Sequence, residues 1–311
     1  MDGRLVLTDG RLKLRHLALA LAIAQHGSMI RAAESLHVTQ PVLTRGLQEL
    51  ERILEVKLFD RNPRGMVPTV FGESFLEHAR AVDLHLRDAR RYLNELADAT
   101  VGTVVVGIHL AGSNLLLPRA IASMKAARPR VTIIVREASP DLLRSSLVAG
   151  EIDLIVGRLT SGEPVTGLRH VALHAEPIRL VAAKSHPALA LPTPRLEDLL
   201  GYPWILPGSQ TELRRELDTL FLNSDVPLPD NRIECTSLLT VRTLLVETQG
   251  IAMLPATIAD ADDSLAVLPI ELTNITRRVG VTLRESQHLN PSAAMLLEHL
   301  QAAAAVLRES A

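Results

Sequence analysis

Apolar positions near the start of the chain recur at helical spacing. A first helix is predicted over residues 14–26, and Gly27 stands where helices commonly end. Its apolar face consists of Leu14, Leu17, Leu21 and Ala24. Ser28 is a favourable N-cap residue, so a second helix is predicted over 29–36. A short turn at His37 and Val38 follows.

The third predicted helix begins at Thr39, another favourable N-cap residue. Pro41 is tolerated in a first helical turn, and leucines then recur at helical spacing. These are Leu43, Leu47, Leu50 and Leu54. Residues 57–69 next predict two strands joined by a tight turn, whose Asn-Pro-Arg-Gly tip has Arg61 beside it and contains Arg64. This is the pattern of a basic wing attached to three helices.

A long helix is predicted from a cap at Thr69 to about Ala99. Its apolar positions alternate spacings of four and three residues, which is a heptad pattern sustained for three repeats. They are Phe75, Ala79, Val82, Leu86, Ala89, Leu93 and Leu96. Charged residues such as Arg80 and Arg87 fill the neighbouring positions. We expect this helix to pair with a second copy, the alternative being an amphipathic helix packed on its own domain.

Beyond the long helix, short β-branched runs alternate with amphipathic helices. The first set reads strand, helix, strand, helix, strand, which predicts a parallel sheet. Its segments are 104–108, 115–127, 131–135, 140–149 and 153–156. The later segments are strands 180–183 and 204–206, helices 212–222 and 238–248, strands 251–254, 265–268 and 279–283, and a closing helix over 291–307. This order fits two α/β lobes with a cleft between them.

Composition and charge narrow the class of protein. The chain of 311 residues exceeds one ordinary core, and 47% hydrophobic with 22% charged residues is typical of globular domains. Aromatic residues make up only 2%, which disfavours an RNA surface of stacked bases. Residues 11–69 carry nine Lys/Arg and five Asp/Glu, whereas the rest carries 24 and 30. A basic module on an acidic body fits a DNA-binding domain joined to a sensor.

The sequence favours a reducing compartment and no cofactor. Cys235 is the single cysteine, so an intramolecular disulfide and a Cys-pair zinc site are excluded. His170, His174 and His186 are too scattered for metal ligation, so we expect no metal. No apolar stretch has the length of a membrane span, and we expect a cytoplasmic protein without membrane contact.

A signal peptide is the alternative interpretation of the N-terminal segment. Arg11, Lys13 and Arg15 precede an apolar run over 17–24 that ends in small residues. A secreted solute-binding protein would share the two lobes and would use this run as its signal. The same run makes the better first helix, and the helix-turn-helix pattern follows it directly. The mass of the intact protein isolated from cells would show whether the segment up to Ala24 has been cleaved off.

The three short helices match a helix-turn-helix domain, in which the second and third helices form the motif. The last helix of such a motif lies in the major groove and reads bases with its first residues. Those residues are Thr39, Gln40, Pro41, Thr44 and Arg45. Gln40 can pair with adenine, and Arg45 with guanine or a phosphate. Ser28 and Arg31 are expected near the DNA backbone, and Arg61 and Arg64 near phosphates or an adjacent minor groove. A protein-interaction bundle with ordinary surface arginines is the alternative.

Gly46 interrupts the third helix. Glycine inside a helix costs about 1 kcal/mol relative to alanine. Close approach of DNA or of another helix would explain it, and so would neutral drift.

These residues, at this spacing, resemble the LysR-type transcriptional regulators. The matching segments are Leu14–Leu17, Gly27–Ser28, Arg31–Leu36, Val38–Pro41, Thr44–Arg45, Leu50–Glu51, Leu58–Arg61, Pro68–Gly72, Gly102–Gly107, Leu117–Pro118 and Gly150–Leu154. The resemblance implies a winged helix-turn-helix over 11–69, a dimerisation helix over 70–99 and an effector domain over 100–311. That domain is expected to be periplasmic-binding-protein-like, with lobe I over about 100–160 and 269–311 and lobe II over about 161–268.

The family further implies a homodimer through the linker helix and usually a homotetramer, bound to double-stranded DNA near a regulated promoter. It implies a small-molecule effector between the lobes. Ligands of open α/β sheets bind at the carboxyl ends of strands. The candidate effector residues are Gly112, Ser113, Asn114, Arg158, Ser209, Gln210, Thr211, Thr236 and Ser237. Helix N-termini and Arg158 favour an anionic metabolite, although helix capping by Ser113 or Thr236 and a hinge or surface ion pair at Arg158 remain open.

An enzyme is the remaining alternative, and the sequence disfavours it. The nucleophile-elbow, phosphate-loop, dinucleotide-binding and zinc-protease motifs are all missing, so no catalytic residue is expected. An enzyme would also leave the N-terminal helices unexplained. Turnover in a substrate screen would distinguish the two.

Overall fold

The computed structural model describes residues 10–63, 65–97, 101–108, 115–159, 166–209, 211–270, 272, 276–285 and 288–309. The chain divides into two compact units, one up to Asn94 and one from Glu95 onward. Among the described residues, no helix combines the length and the apolar character needed to cross a bilayer.

The N-terminal unit is a three-helix domain with a two-stranded wing. Its elements are α1 (Leu14–His26), α2 (Met29–Ser35), α3 (Gln40–Leu54), β1 (Phe59–Asn62), β2 (Gly65–Pro68) and the greater part of α4 (Val70–Ala97). Apolar residues of all three short helices share one core with Leu58, Phe59 and Leu76. Leu19 and Ile23 of α1 lie in that core, so the run over 17–24 is an integral helix of the fold. The predicted winged helix-turn-helix is therefore confirmed.

The helix starts follow the sequence prediction, but their chemistry differs. Ser28 and Thr39 occupy the N-cap positions of α2 and α3, yet neither hydroxyl makes a capping hydrogen bond. At Thr39 the second helical position is Pro41, which has no N–H to donate. The Val42 N–H donates instead to the backbone oxygen of Thr39, at 3.0 Å. The predicted N-cap positions of Ser28 and Thr39 are confirmed, although their hydroxyls do not supply the capping hydrogen bonds.

Hydrogen bonds from backbone N–H groups at both ends of the wing hold it to α3 and to the start of α4. β1 and β2 pair in antiparallel register, with Asn62 opposite Gly65. The Leu58 N–H donates to the Glu51 carboxylate of α3 at 2.8 Å, and the Thr69 N–H donates to the Leu58 carbonyl at 2.9 Å. Thr69 does cap α4, because its Oγ1 accepts from the Gly72 N–H at 3.1 Å.

The second unit contains one nine-stranded mixed sheet with helices around it. Its strands are β3 (Thr103–Ile108), β4 (Thr132–Glu137), β5 (Leu154–Arg158), β6 (Leu168–Ala183), β7 (Trp204–Leu206), β8 (Arg232–Glu234), β9 (Ile251–Pro255), β10 (Leu265–Val267) and β11 (Thr276–Arg284). Its α-helices are α5 (Leu116–Ala127), α6 (Pro140–Val148), α7 (Glu212–Asn223), α8 (Leu238–Thr248), α9 (Ala256–Asp260) and α10 (Pro291–Glu309). Two short 3-10 helices lie at Pro187–Ala190 and Glu197–Leu199.

Strand order divides this sheet into two lobes. The order is β4-β3-β5-β11-β6-β9-β7-β8, with β10 paired to β6 off this path. One core joins β3, β5 and β11 to α5 and α10, and a separate core joins β6, β7 and β9 to α7. The predicted segments occur in the predicted order, and β3 pairs in parallel with β4 and β5, but β8 and α9 were not predicted.

The strand β6 crosses from one lobe to the other, and its extent was mispredicted. It spans 16 residues, whereas the sequence predicted a strand over 180–183 only. Residues 168–177 pair with β11 in lobe I, and residues 178–182 pair with β9 in lobe II. The first half was missed because charged and small residues interrupt its apolar alternation. A bulge at Leu173, opposite Val279 and Gly280, interrupts the pairing just before the crossing point.

Candidate DNA interface and effector cleft

The start of α3 presents a polar, basic edge to solvent. Thr39, Gln40, Pro41 and Arg45 are exposed and Thr44 is half-buried, while Leu43 and Leu47 on the same helix are buried. Arg45 Nε contacts the Pro41 carbonyl at 3.4 Å, across one helical turn. This edge therefore separates exposed polar residues from core residues on one helix, as a major-groove helix requires.

Two further predicted contacts flank this edge. Arg31 on α2 and Arg61 on β1 are both exposed, and Ser28 is half-buried. In the described part of the chain, no carboxylate forms an ion pair with Arg31, Arg45 or Arg61. Their charges are available to phosphates. Arg64 lies outside the described residues.

Gly46 owes its place to helix packing. A Cβ added at Gly46 would lie 2.9 Å from Leu19 Cδ2, and Leu19 belongs to α1. The close approach that the sequence left open is therefore made by another helix of the same domain.

The helix α4 carries an apolar stripe that its own unit does not cover. Its first part is buried at Leu76 and Ala79, whereas Val82, Leu86 and Leu93 are exposed by 39%, 48% and 64%. Ala89 and Leu96 of the predicted heptad are exposed as well. An exposed heptad stripe on a 28-residue helix is typical of a helix that pairs with another.

Two of the three predicted effector loops are brought together in lobe II. β7 and β8 are parallel neighbours, and the Cys235 N–H donates to the Leu206 carbonyl at 2.9 Å. A Cβ added at Gly208 would lie 3.0 Å from Thr236 Cγ2. The loops after β7 and β8 therefore touch, which places the exposed Ser209, Thr236 and Ser237 at one end of the sheet.

Helix capping explains part of the predicted polar set. Thr211 Oγ1 accepts from the Arg214 N–H at 3.2 Å and thereby caps α7. Ser237 Oγ accepts from the Thr240 N–H at 3.4 Å and caps α8. Thr236 is not the cap of α8, so its exposed hydroxyl has no such structural duty. Gly112, Ser113, Asn114 and Gln210 lie outside the described residues.

Arg214 is a buried residue near these loops that the sequence analysis missed. Its guanidinium contacts Asp218 at 2.8 Å, Glu234 at 2.7 Å and the Pro207 carbonyl at 3.2 Å. The hydrogen bond to Glu234 is the main cause that raises the pKa of Arg214. Arg214 thus ties the start of α7 to the loop after β7 and to β8. Its i,i+4 spacing to Asp218 was a readable signal.

Arg158 is the last residue of β5, not the residue after that strand as predicted. It lies opposite Val279 of β11, which in turn lies opposite His174 of β6. The charge of Arg158 acts on the carboxyl of Glu176, also on β6, and lowers its pKa, although burial raises that pKa more strongly. Thr257 Oγ1 donates to Glu176 Oε1 at 3.2 Å. Glu176 and His174 were not predicted as part of the site.

Among the described residues, no group of three or more His, Cys, Asp or Glu side chains could hold a metal ion.

The winged helix and the two-lobed sheet together define a class of protein. This class is a regulator that reads DNA with one unit and binds a ligand with the other. Comparison with known proteins identifies the family.

Residues 14–73 match the family described as bacterial regulatory helix-turn-helix protein, lysR family, and residues 97–305 match the LysR substrate binding domain. The chain therefore belongs to the LysR family of transcription regulators. Members of this family bind double-stranded DNA and a small-molecule effector, form multimers and are not enzymes, which confirms the function predicted from the sequence.

Full-length relatives support this assignment. The chain is 30% identical over 304 residues to the transcriptional regulator PcaQ of Agrobacterium fabrum, covering 97% of this chain and 98% of PcaQ. It is 31% identical over 282 residues to YdcI of Escherichia coli, covering 89% and 91%. The solved structure of the LysR family regulator CbnR matches with a TM-score of 0.54 and 26% identity, covering 93% of this chain and 100% of CbnR. Full-length OxyR from Pseudomonas aeruginosa shares the fold, with a TM-score of 0.62, 24% identity and 94% of each chain covered.

Proposed function

We propose that this regulator reads its operator with Thr39, Gln40, Pro41, Thr44 and Arg45. Ser28, Arg31, Arg61 and Arg64 would contact the DNA backbone or the adjacent minor groove. The observation that carries the proposal is the exposed polar edge of α3, opposite a fully buried leucine face. The solved structure of CbnR in complex with its target DNA, which matches with a TM-score of 0.59, shares this fold.

The effector that we propose is a small anionic metabolite in the cleft between the lobes of the second unit. Support comes from the paired loops after β7 and β8 and from Arg158 at the carboxyl end of β5. The proposed contacts are Gly112, Ser113, Asn114, Arg158, Ser209, Gln210, Thr211, Thr236 and Ser237. The hydroxyls of Thr211 and Ser237 already cap α7 and α8. The proposed ligand groups are therefore the backbone of these two residues and the hydroxyl of the neighbouring Thr236.

Two copies would associate through the exposed heptad stripe of α4. A tetramer needs a second interface, and both ends of the nine-stranded sheet offer one. β4 at one end exposes Ile134 and Val135, and β8 at the other exposes Ile233. Unpaired edge strands with apolar side chains are typical of surfaces that another chain covers.

The division into domains follows the same elements. We propose 11–69 as the DNA-binding domain, 70–99 as the dimerisation helix and 100–311 as the effector domain. Within the latter, lobe I comprises about 100–160 and 269–311, and lobe II about 161–268. We also propose a cytoplasmic location, which the DNA-binding family and the single cysteine, Cys235, support.

The direct test is fluorescence anisotropy of the full-length protein on DNA from upstream of its own gene. Scrambled DNA of equal length is the control, and both are titrated at two salt concentrations. We expect tighter binding to the upstream DNA, weakening as salt rises because phosphate contacts release counterions. Absence of binding to either DNA, even at low salt, would refute the DNA-reading role.

A further inference from the structure

The carboxyl ends of the central strands of both lobes converge on one short stretch of β6. β5 runs parallel to β6 because both are antiparallel to β11, and β9 runs in the opposite direction. Arg158 ends β5 at the level of His174, and Pro255 ends β9 opposite Ile178. Glu176 lies midway between these two positions. Ligands of α/β sheets bind at such strand ends.

Arg158 and Thr257 interact with Glu176 there, and His174 lies two residues before Glu176 on β6, level with Arg158. These four residues are here called the crossing-point cluster. Glu176 is only 3% exposed and His174 8%. Glu176 Oε1 accepts from Thr257, but Oε2 is buried and has no hydrogen-bond partner among the described residues. The same holds for Nδ1 of His174. Buried polar atoms nearly always have a hydrogen-bond partner, so two buried atoms without one in the same cluster require an explanation.

Another buried carboxylate of this unit, Glu95, shows what a structural acid looks like in this fold. Glu95 is 8% exposed, and both of its oxygens accept backbone N–H groups. Oε2 accepts from Ser292 at 3.0 Å and Oε1 from Thr103 at 3.4 Å. A purely structural Glu176 would be expected to show the same complete set of donors.

We propose that Glu176 is a specificity-determining residue of the effector site, selecting a carboxylic acid that also carries a hydroxyl or ammonium group beside its carboxylate. The ligand's carboxylate would face Arg158, and its hydroxyl or ammonium would donate to Glu176 Oε2. This inference rests on the proposed effector site and specifies its ligand class. A plain carboxylate would leave Oε2 unsatisfied beside a second negative charge, and sites built to hydrogen-bond a hydroxyl strongly reject analogues that lack it.

Burial and charge act in opposite directions on the Glu176 carboxyl. Burial raises the pKa of its carboxyl and Arg158 opposes that effect. Burial likewise lowers the pKa of His174, with Arg308 of α10 acting in the same direction. Thr257 faces Glu176 from α9.

Two triplets of small acids test the proposal on the full-length protein by isothermal calorimetry and thermal unfolding. One triplet is succinate, malate and aspartate, and the other is benzoate, salicylate and 2-aminobenzoate. In each, the first acid lacks the donor, the second adds a hydroxyl and the third an amino group. In at least one triplet we expect a substituted acid to bind about tenfold more tightly than the plain acid, a difference of about 1.4 kcal/mol.

Glu176→Leu should bring the members of that triplet within about twofold of each other. Glu176→Gln keeps an acceptor oxygen without the charge, so it should retain a preference for a hydroxyl or for the uncharged amino group of 2-aminobenzoate and lose one for the ammonium group of aspartate. Both variants should bind promoter DNA like the wild type, and Glu176→Gln covers the case in which the leucine variant fails to fold. Glu95→Gln is the structural control, and it should lower the unfolding midpoint without changing the ratio of affinities.

Equal binding of plain and substituted acids, no binding of any of the six, or a preference that survives Glu176→Leu would overturn the proposal. Promoter binding measured on the same samples separates this failure from failure of the proposed function. A protein that binds its promoter and responds to a plain acid remains a regulator in which Glu176 lacks this role.

Discussion

The reading edge of α3 and the crossing-point cluster handle polar residues in opposite ways. On α3, the polar groups follow one another along seven residues of chain and point to solvent. At the crossing point, the polar groups come from β5, β6 and α9, separated by up to about 100 residues of sequence, and Glu176 and His174 are almost fully buried. The first surface is therefore accessible to a large charged partner, whereas the second agrees with the small ligand that we propose.

The contrast has energetic consequences. Exposed arginines on α3 and the wing remain hydrated until DNA replaces water, so their contribution is spread over many weak, salt-dependent contacts. An unsatisfied carboxylate in the interior concentrates its effect on one hydrogen bond, because desolvation has already been imposed by folding. Single substitutions should accordingly change DNA affinity gradually and ligand selectivity sharply.

The largest expected effect lies outside both regions, on the helix that we propose for dimerisation. Leu86→Asp places a charge in the exposed stripe of α4 and should convert dimers into monomers, measured by analytical ultracentrifugation. DNA affinity should then fall by about a hundredfold or more, because two linked half-site contacts become one. His85→Asp adds the same charge at an exposed position outside the heptad and should leave the dimer intact. A Leu86→Asp protein that stays dimeric would remove the stripe from the interface.

The reading edge is tested next by Arg45→Ala. Loss of a base or phosphate contact should weaken specific binding by about 1–3 kcal/mol, measured by anisotropy on the promoter fragment. Arg52→Ala, an exposed arginine near the other end of α3, is the matched control. If the two variants bind alike, Arg45 is not a reading residue.

Arg214→Ala tests whether Arg214 holds together the loops of the proposed effector site. The variant removes a buried guanidinium that joins Asp218, Glu234 and the Pro207 carbonyl. We expect a loss of about 1–2 kcal/mol in the free energy of unfolding, because both carboxylates are more than a third exposed and solvent screens them. Denaturant unfolding of the full chain gives this value. Arg215→Ala, on the exposed side of α7, should change it by less than about 0.5 kcal/mol.

A large loss of unfolding free energy in Arg214→Ala with unchanged promoter binding would support the contrast between the edge of α3 and the interior of the second unit. Equal stability of the Arg214 and Arg215 variants would contradict a structural role for the buried guanidinium.

The smallest expected effect is a change of salt dependence in Arg61→Ala. One phosphate contact fewer should reduce the slope of the logarithm of affinity against the logarithm of salt by about one unit. Asp60→Ala, next to it on the wing, should not reduce the slope, since it removes a charge that repels phosphate. A slope unchanged by Arg61→Ala would place the wing away from the DNA.

The sequence by itself determined the N-terminal domain almost completely. Helix periodicity, the positions of Ser28, Thr39 and Thr69, and the turn after Arg61 are local signals, and the observed elements lie within about two residues of the predicted ones. The heptad of α4 was equally legible, because the spacing of apolar residues on a helix sets which of them share a face. The order of strands in the second unit also followed from local pattern.

Tertiary structure alone decided how separated segments meet. The long strand β6 was predicted as four residues, because polar positions that face the crossing point break its apolar alternation. Arg158 could be found as a charged residue at a strand end, but Glu176 carried no local signal, since its environment is made by β5, β11 and α9. Register across strands and burial from both lobes are properties of the fold, and no window of sequence contains them.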